Sequence, residues 1–323
     1  MSAIGVLRAL GAPGTWLLRR ALQAILTLLG ASVLVWALLP LAQGDTARLV
    51  LQAQGVTEPT PGQLAQARDD LGLDGSYVEQ YLHWLAGLLH GDLGVSFASG
   101  RPVAHELGER IPETLRLGVA ALAIGLVLAL LLGLCAARFA RRWPDYAAQG
   151  LALVWASTPS FVVALVLVQI LVVNLGIGHA VLDGSWGEVG LPALCLAFGL
   201  ADGWSRLLRS DLVAFMASGP AESLRARGMG PTRILVRHGL PNACLPSLHA
   251  VAVGIAGLLG GAAVIETVFT WPGIGSYAVT SVRTRDLPVI QAFTLVATLV
   301  YVASSFAADA VGGWVDPRSR GAS

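Results

Sequence analysis

Five stretches of this chain, residues 21–41, 117–137, 147–173, 241–265 and 287–308, each run for more than twenty positions without one charged side chain. A hydrocarbon core about 30 Å thick is crossed by roughly 20 residues of helix, and a helix meets its backbone hydrogen bonds within its own segment. Each stretch therefore reads as a transmembrane helix. A sixth, residues 189–208, is interrupted by Asp202 and Arg206. These lie one helical turn apart and are expected to pair near a membrane surface. The expected fold class is an all-α polytopic membrane protein of about six transmembrane helices. Residues 1–20 precede the first span (21–41), a long loop occupies 42–116, and a core of five helices fills 117–316. That core includes a loop at 210–240, and a short tail follows at 317–323.

Charged residues make up 13% of the chain and hydrophobic ones 55%, whereas about a quarter of soluble-protein residues are charged. The net charge is only +1, so what matters is where the charges fall. No lysine occurs anywhere, which excludes a P-loop, whose Lys sits on the nucleotide phosphates. Cys135, Cys195 and Cys244 lie in apolar runs without C-x-x-C spacing and are expected as small core residues. Residues 21–41 follow Arg19 and Arg20, but the apolar part exceeds the roughly 7–15 residues of a signal-peptide core. No A-x-A site follows it, so the span is expected to be retained.

Arginine sets the expected orientation. Arg8, Arg19, Arg20, Arg138, Arg141, Arg142, Arg206, Arg209, Arg225, Arg227, Arg233, Arg237, Arg318 and Arg320 all fall on one side, which reads as the cytoplasm and holds both termini. The other side receives the Arg-free connection 176–188, the segment 266–286 and the long loop. That loop opens with turn-rich residues 57–62 and continues into an amphipathic stretch, 77–90, with Tyr81, Leu82, Trp84, Leu85, Leu88 and Leu89 on its apolar side. Such a stretch is expected on the bilayer surface or against the spans. Trp84, Arg101 and Glu106 are the candidate contacts for a folded extracytoplasmic partner, since aromatics among scattered charge suit a transient interface.

The loop between the fourth and fifth spans is punctuated twice. Gly219 is expected to cap a helix opening at Pro220, with Glu222 in its first turn, Arg225 and Arg227 in its last, and Gly228 as a left-handed stop. A second helix is expected from Pro231 to His238, carrying Arg233 and Arg237, with Gly239 ending it before Leu240 and Pro241.

Glu222, Gly228 six positions later and Leu240-Pro241 beyond resemble the E-A-A, G, L-P loop of permease subunits of bacterial ATP-binding-cassette importers. Further segments resemble the dipeptide, oligopeptide and nickel permease family: Gly91-Asp92-Leu93-Gly94, Arg110-Ile111-Pro112-Glu113-Thr114-Leu115, Thr158-Pro159-Ser160-Phe161, Glu266 through Gly275, Arg285-Asp286-Leu287-Pro288 and Asp316-Pro317-Arg318. The resemblance implies a half-channel that pairs with a second homologous permease subunit, two ABC ATPase subunits and an extracytoplasmic solute-binding protein. ATP and Mg would be used by the ATPases, and no cofactor is implied in this chain. It implies that Glu222, Arg225, Gly228, Arg233, Leu240 and Pro241 couple to an ATPase. The solute would be peptide-like, or a metal or metallophore. Ser223 and Leu224 stand where the general motif has alanines.

A stand-alone secondary carrier is the alternative, although duplicated halves with broken helices are not evident. An intramembrane hydrolase would need H-E-x-x-H or G-x-S-x-G, and neither occurs. No metal site or nucleic-acid partner is expected. Asp202, His249, Asn174 and Gln169 are the candidate polar residues of a passage, because polar groups at membrane depth are costly unless paired or lining a cavity.

Overall fold

The computed structural model describes residues 11–37, 46–53, 55–70, 75–176, 179 and 182–315. Among them all regular structure is helical, apart from a single antiparallel bridge between Val95 and Pro102. The helices are α1 (Gly11–Ala37), α2 (Thr46–Ala53), α3 (Pro61–Asp70), α4 (Tyr77–Leu89), α5 (Val103–Arg138), α6 (Trp143–Ser157), α7 (Ser160–Leu167), α8 (Gly190–Met216), α9 (Gly219–Ala226), α10 (Pro231–Ile234), α11 (Leu240–Val268), α12 (Ile274–Thr284) and α13 (Leu287–Val315). Segments of α1, α5, α11 and α13 are each long and apolar enough to cross a membrane.

The third apolar run departs from expectation. It is not one straight helix but two, α6 and α7, bent by 101° at a short break. Pro159 has no N–H to donate and drives the preceding residue out of the helical region; Thr158 accordingly adopts φ −105°, ψ 119°. Beyond α7 the chain widens into a π-helical turn, Val168–Asn174. The fourth run is one unbroken helix, α8, of 27 residues, or about 40 Å at 1.5 Å per residue. It carries Arg209 and Asp211 as well as Asp202 and Arg206. α5 starts at Val103, so the last part of the region expected as loop is already helix.

The chain divides into two compact units, Met1–Arg110 with Tyr277–Val302 and Ile111–Ser276 with Ala303–Ser323. In the first, Ser76 and Glu79 form a capping box that starts α4. The apolar side of α4 packs on the first span: Trp36 lies 6.1 Å from Tyr81 and 5.4 Å from Trp84 between ring centroids, and the Ser32 and Tyr81 hydroxyls are 2.9 Å apart. The loop before α5 is clipped to the start of α13. The buried Asp286 carboxylate accepts from Ser96 Oγ (2.5 Å), Phe97 N (3.0 Å) and Ala98 N (3.2 Å). Arg110 lies 4.3 Å above the Tyr277 ring, and burial raises the Tyr277 hydroxyl pKa.

The second unit is assembled around α8, which lies against α6, α7 and α11. Lipid tails are as apolar as leucine, so close packing has to supply what hydrophobicity does not, and small residues permit it. A side chain at Gly254 would meet Trp204 at 2.8 Å, and one at Gly133 would meet Leu208 at 3.0 Å. The Trp204 indole also donates to Ala250 O at 3.2 Å. Of the three cysteines, Cys195 is buried and Cys244 partly so; Cys135, expected in the core, is exposed.

Candidate functional site

The loop between α8 and α11 belongs wholly to the second unit, and each turn of it has a local cause. Ser218 (φ −84°, ψ 158°) is the N-cap of α9, with Gly219 as its first residue and Pro220 and Glu222 in the first turn. The cap is therefore Ser218 rather than Gly219, and its hydroxyl donates to Phe215 O at 2.6 Å. α9 closes in a Schellman motif. Gly228 has φ +80°, its N–H donates to Arg225 O (2.9 Å), and Met229 N donates to Leu224 O (3.1 Å). The left-handed stop expected at Gly228 is present.

The second half corrects the expectation. α10 ends at Ile234, a π-helical turn follows over Leu235–Gly239, and α11 begins at Leu240 without a break. Gly239 is helical (φ −67°, ψ −51°) and stops nothing. The wider turn accommodates Pro241, which would remove a hydrogen bond and clash with the carbonyl four residues back in a regular helix. Gly239 is needed for packing, since a Cβ there would lie 3.2 Å from both Leu212 and Phe215.

Ala221, Ile234 and Leu235 are buried, and Leu235 joins Ala137, Leu208, Leu212 and Ala243 in one apolar cluster. The Arg225 guanidinium donates to Met216 O, and Arg138 Nε to Thr232 Oγ1 at 2.8 Å. What faces outward is Glu222, Ser223, Arg225, Arg227, Arg233, Arg237 and Pro241, a mostly basic surface on a firmly seated knuckle. Leu240 is partly buried against the cluster.

The candidate passage residues form two separate pairs. Asp202 Oδ2 accepts from Arg206 Nη2 at 2.7 Å, while its buried Oδ1 has no partner; the pairing expected from sequence is present. Gln169 donates to Asn174 Oδ1 at 3.2 Å on the exposed π-helical turn. The His249 side chain lies outside the described residues, as do residues 1–10, 38–45, 71–74 and 316–323. Among the candidate partner contacts, Trp84 packs on Trp36 and Arg101 is exposed. Glu106 is not on the surface: it is 3% exposed and lies 3.6 Å from both Arg101 and Arg110.

Besides Asp286, two further buried carboxylates have partners that the sequence does not announce. Asp145, 0% exposed, takes both guanidinium bonds of Arg209 (2.6 and 2.7 Å), plus Arg141 N and Gln149 Nε2 at 2.8 Å each. Glu266, also buried, accepts from Thr114 Oγ1 (2.7 Å) and Ser276 N (2.9 Å), while Ile274 N donates to Thr114 Oγ1 (2.9 Å) and the Trp271 indole to Glu113 O (3.0 Å). A Cβ at Gly273 would overlap the Glu266 carboxylate, and one at Gly275 the Ala263 backbone. The glycines in this segment are thus dictated by close approach.

Residues 125–321 match the profile of the family described as binding-protein-dependent transport system inner membrane component, and residues 15–118 match its N-terminal companion. The chain belongs to this family. The glutathione transport system permease protein GsiC of Salmonella choleraesuis (strain SC-B67) is 34% identical to this permease over 305 residues, covering 94% of this chain and 98% of the relative. The GsiC protein of Escherichia coli (strain K12) is 32% identical over the same length. Among solved structures, a chain of the inward-facing MetNI methionine ABC transporter aligns with a TM-score of 0.51 at 18% identity, covering 64% of this chain and 96% of that one, a likeness of fold. The permease is thus a multi-pass inner membrane subunit of a binding-protein-dependent ABC importer. It is not the ATP-hydrolysing component, and as a permease subunit it takes no cofactor.

Proposed function

We propose that this permease forms half of a passage with a second homologous permease subunit and that residues 210–240 transmit the closure of two ABC ATPase subunits to the spans. A peptide-like solute of the size class of glutathione, which names the relatives, is delivered to it by an extracytoplasmic solute-binding protein. Residues 1–20 and 317–323 lie in the cytoplasm, and the loop over 42–116 lies outside. One observation carries the reading: α9 is pinned from beneath by buried Ala221 and closed by the Gly228 Schellman motif, while its charged face is left open. Ligand and ATP then need only favour different states of the assembly for transport to follow.

The test is uptake and ATPase activity of the reconstituted assembly with Gly228→Pro, which cannot adopt the positive φ. Uptake is expected to be lost while the subunits still assemble. Normal uptake by the assembled variant would remove the coupling role. Measuring which of glutathione-like peptides, longer peptides or nickel chelates the cognate binding protein takes up decides the solute.

A further inference from the structure

Apart from Arg138, which bonds Thr232, the turn joining α5 to α6 concentrates features that the coupling role does not use. Arg138, Phe139, Arg141, Arg142, Trp143 and Tyr146 are all exposed, Trp143 by 80% and Tyr146 by 64%. Between residues 114 and 182 the only acidic residue is Asp145. It is fully buried and committed to Arg209, so among the described residues no carboxylate opposes Arg141 or Arg142. Asp145 also shapes the turn, because its Oδ2 accepts the N–H of Arg141, a non-glycine residue at φ +63°. Positive φ is uncommon for such a residue and persists where surrounding contacts hold it.

The aromatic pair continues into an apolar stripe. Leu153 and Val154 follow Trp143 and Tyr146 at helical spacing along α6, and they are exposed too. An aromatic pair at the end of an apolar stripe marks the level of the lipid headgroups. Arginines at that level beside an apolar face meet the two halves of one ligand: a negatively charged headgroup and its acyl chains.

We propose that this turn is a binding site for an anionic phospholipid, with Arg141 and Arg142 on the phosphate-bearing headgroup and Trp143, Tyr146, Leu153 and Val154 along the chains. The inference rests on the membrane setting of α5 and α6. Its binding test works equally whichever side the turn faces, so a wrong orientation and a wrong site give different results. The side itself is read separately, by labelling Arg142→Cys with a membrane-impermeant thiol reagent in a Cys135→Ser, Cys195→Ala, Cys244→Ala background.

The experiment is native mass spectrometry of the assembled importer titrated with phosphatidylglycerol or phosphatidylcholine. Arg141→Gln with Arg142→Gln is expected to weaken phosphatidylglycerol retention about thirtyfold, the order expected for two arginines at a charged surface. It should leave phosphatidylcholine unchanged. The matched loss of charge in Arg19→Gln with Arg20→Gln is expected to leave retention near that of the parent. Equal retention by the Arg141/Arg142 variant, or an equal drop in both variants, would overturn the site. So would a photo-crosslinker at position 143 that captures a protein subunit instead of lipid.

Discussion

Replacing Arg209 by alanine strands a carboxylate that has no route to water. Asp145 is fully buried, and two of its four hydrogen bonds come from the Arg209 guanidinium at 2.6 and 2.7 Å. Removing one partner of a buried ion pair costs about 3–5 kcal/mol. The N–H of Arg141 and the Gln149 amide remain in place, which puts the expected loss at the lower end, about 3 kcal/mol. At about 2–4 °C per kcal/mol for a domain of this size, the apparent melting temperature of the purified assembly should fall by about 6–12 °C. Asp145→Ala with Arg209→Ala leaves no stranded charge, and its expected loss is less than half of that. Melting followed by tryptophan fluorescence in detergent reads both. A double variant as unstable as Arg209→Ala would show that the guanidinium acts through packing alone, and the electrostatic argument would fail.

Arg206→Ala should impair transport more than Asp202→Ala with Arg206→Ala does, because the buried Asp202 carboxylate is left unpaired in the single variant; uptake assays on the two decide whether Asp202 acts mainly as the partner of Arg206. Gly275→Ala should reduce the yield of assembled protein severalfold through overlap with Ala263, whereas Gly260→Ala, which meets nothing within 4 Å, should leave it unchanged in size-exclusion profiles. Charge reversal at exposed Arg101 should raise the binding-protein concentration needed for half-maximal ATPase stimulation, more at low salt than at about 0.15 M, where screening acts beyond about 8 Å. Glu106→Lys should instead lower the melting temperature, since that side chain is buried between arginines.

What the sequence carried legibly was whatever depends on neighbours along the chain. The uncharged runs, the Asp202–Arg206 pair at one turn, the amphipathic α4 and the left-handed Gly228 all rest on separations of a few residues, and the structure has them. The misreadings rest on contacts made at a distance. Asp145 meets Arg209 across 64 positions and Glu266 meets Thr114 across 152, and no local periodicity announces such partners. Glu106 looked like a surface charge because its burial comes from the tertiary fold. Gly239 beside Pro241 reads as a stop by turn chemistry, yet packing against Leu212 and Phe215 made the same glycine a helical contact point. The bend at Pro159 had its signal in Thr158-Pro159, but an apolar run reports burial in lipid and says nothing of direction.

The unbroken passage from Pro231 through the π-helical turn into α11 gives the knuckle two unlike ends. Towards the fifth span it is welded, since Leu235 and Gly239 are buried and helical backbone continues past Leu240. Towards the fourth the helix is interrupted at Ala217 and the extended Ser218, and side chains hold the junction, Arg225 on Met216 O and Ser218 on Phe215 O. On the proposed coupling, a push on α9 would pass through the closed corner at Gly228–Gly230 into α11, and α8, which packs Leu212 and Phe215 on Gly239, would be drawn along by contact rather than by continuous backbone. Strokes of the motor would thus reach the fifth helix as a torque along its backbone and the fourth as a sideways pull through packed side chains.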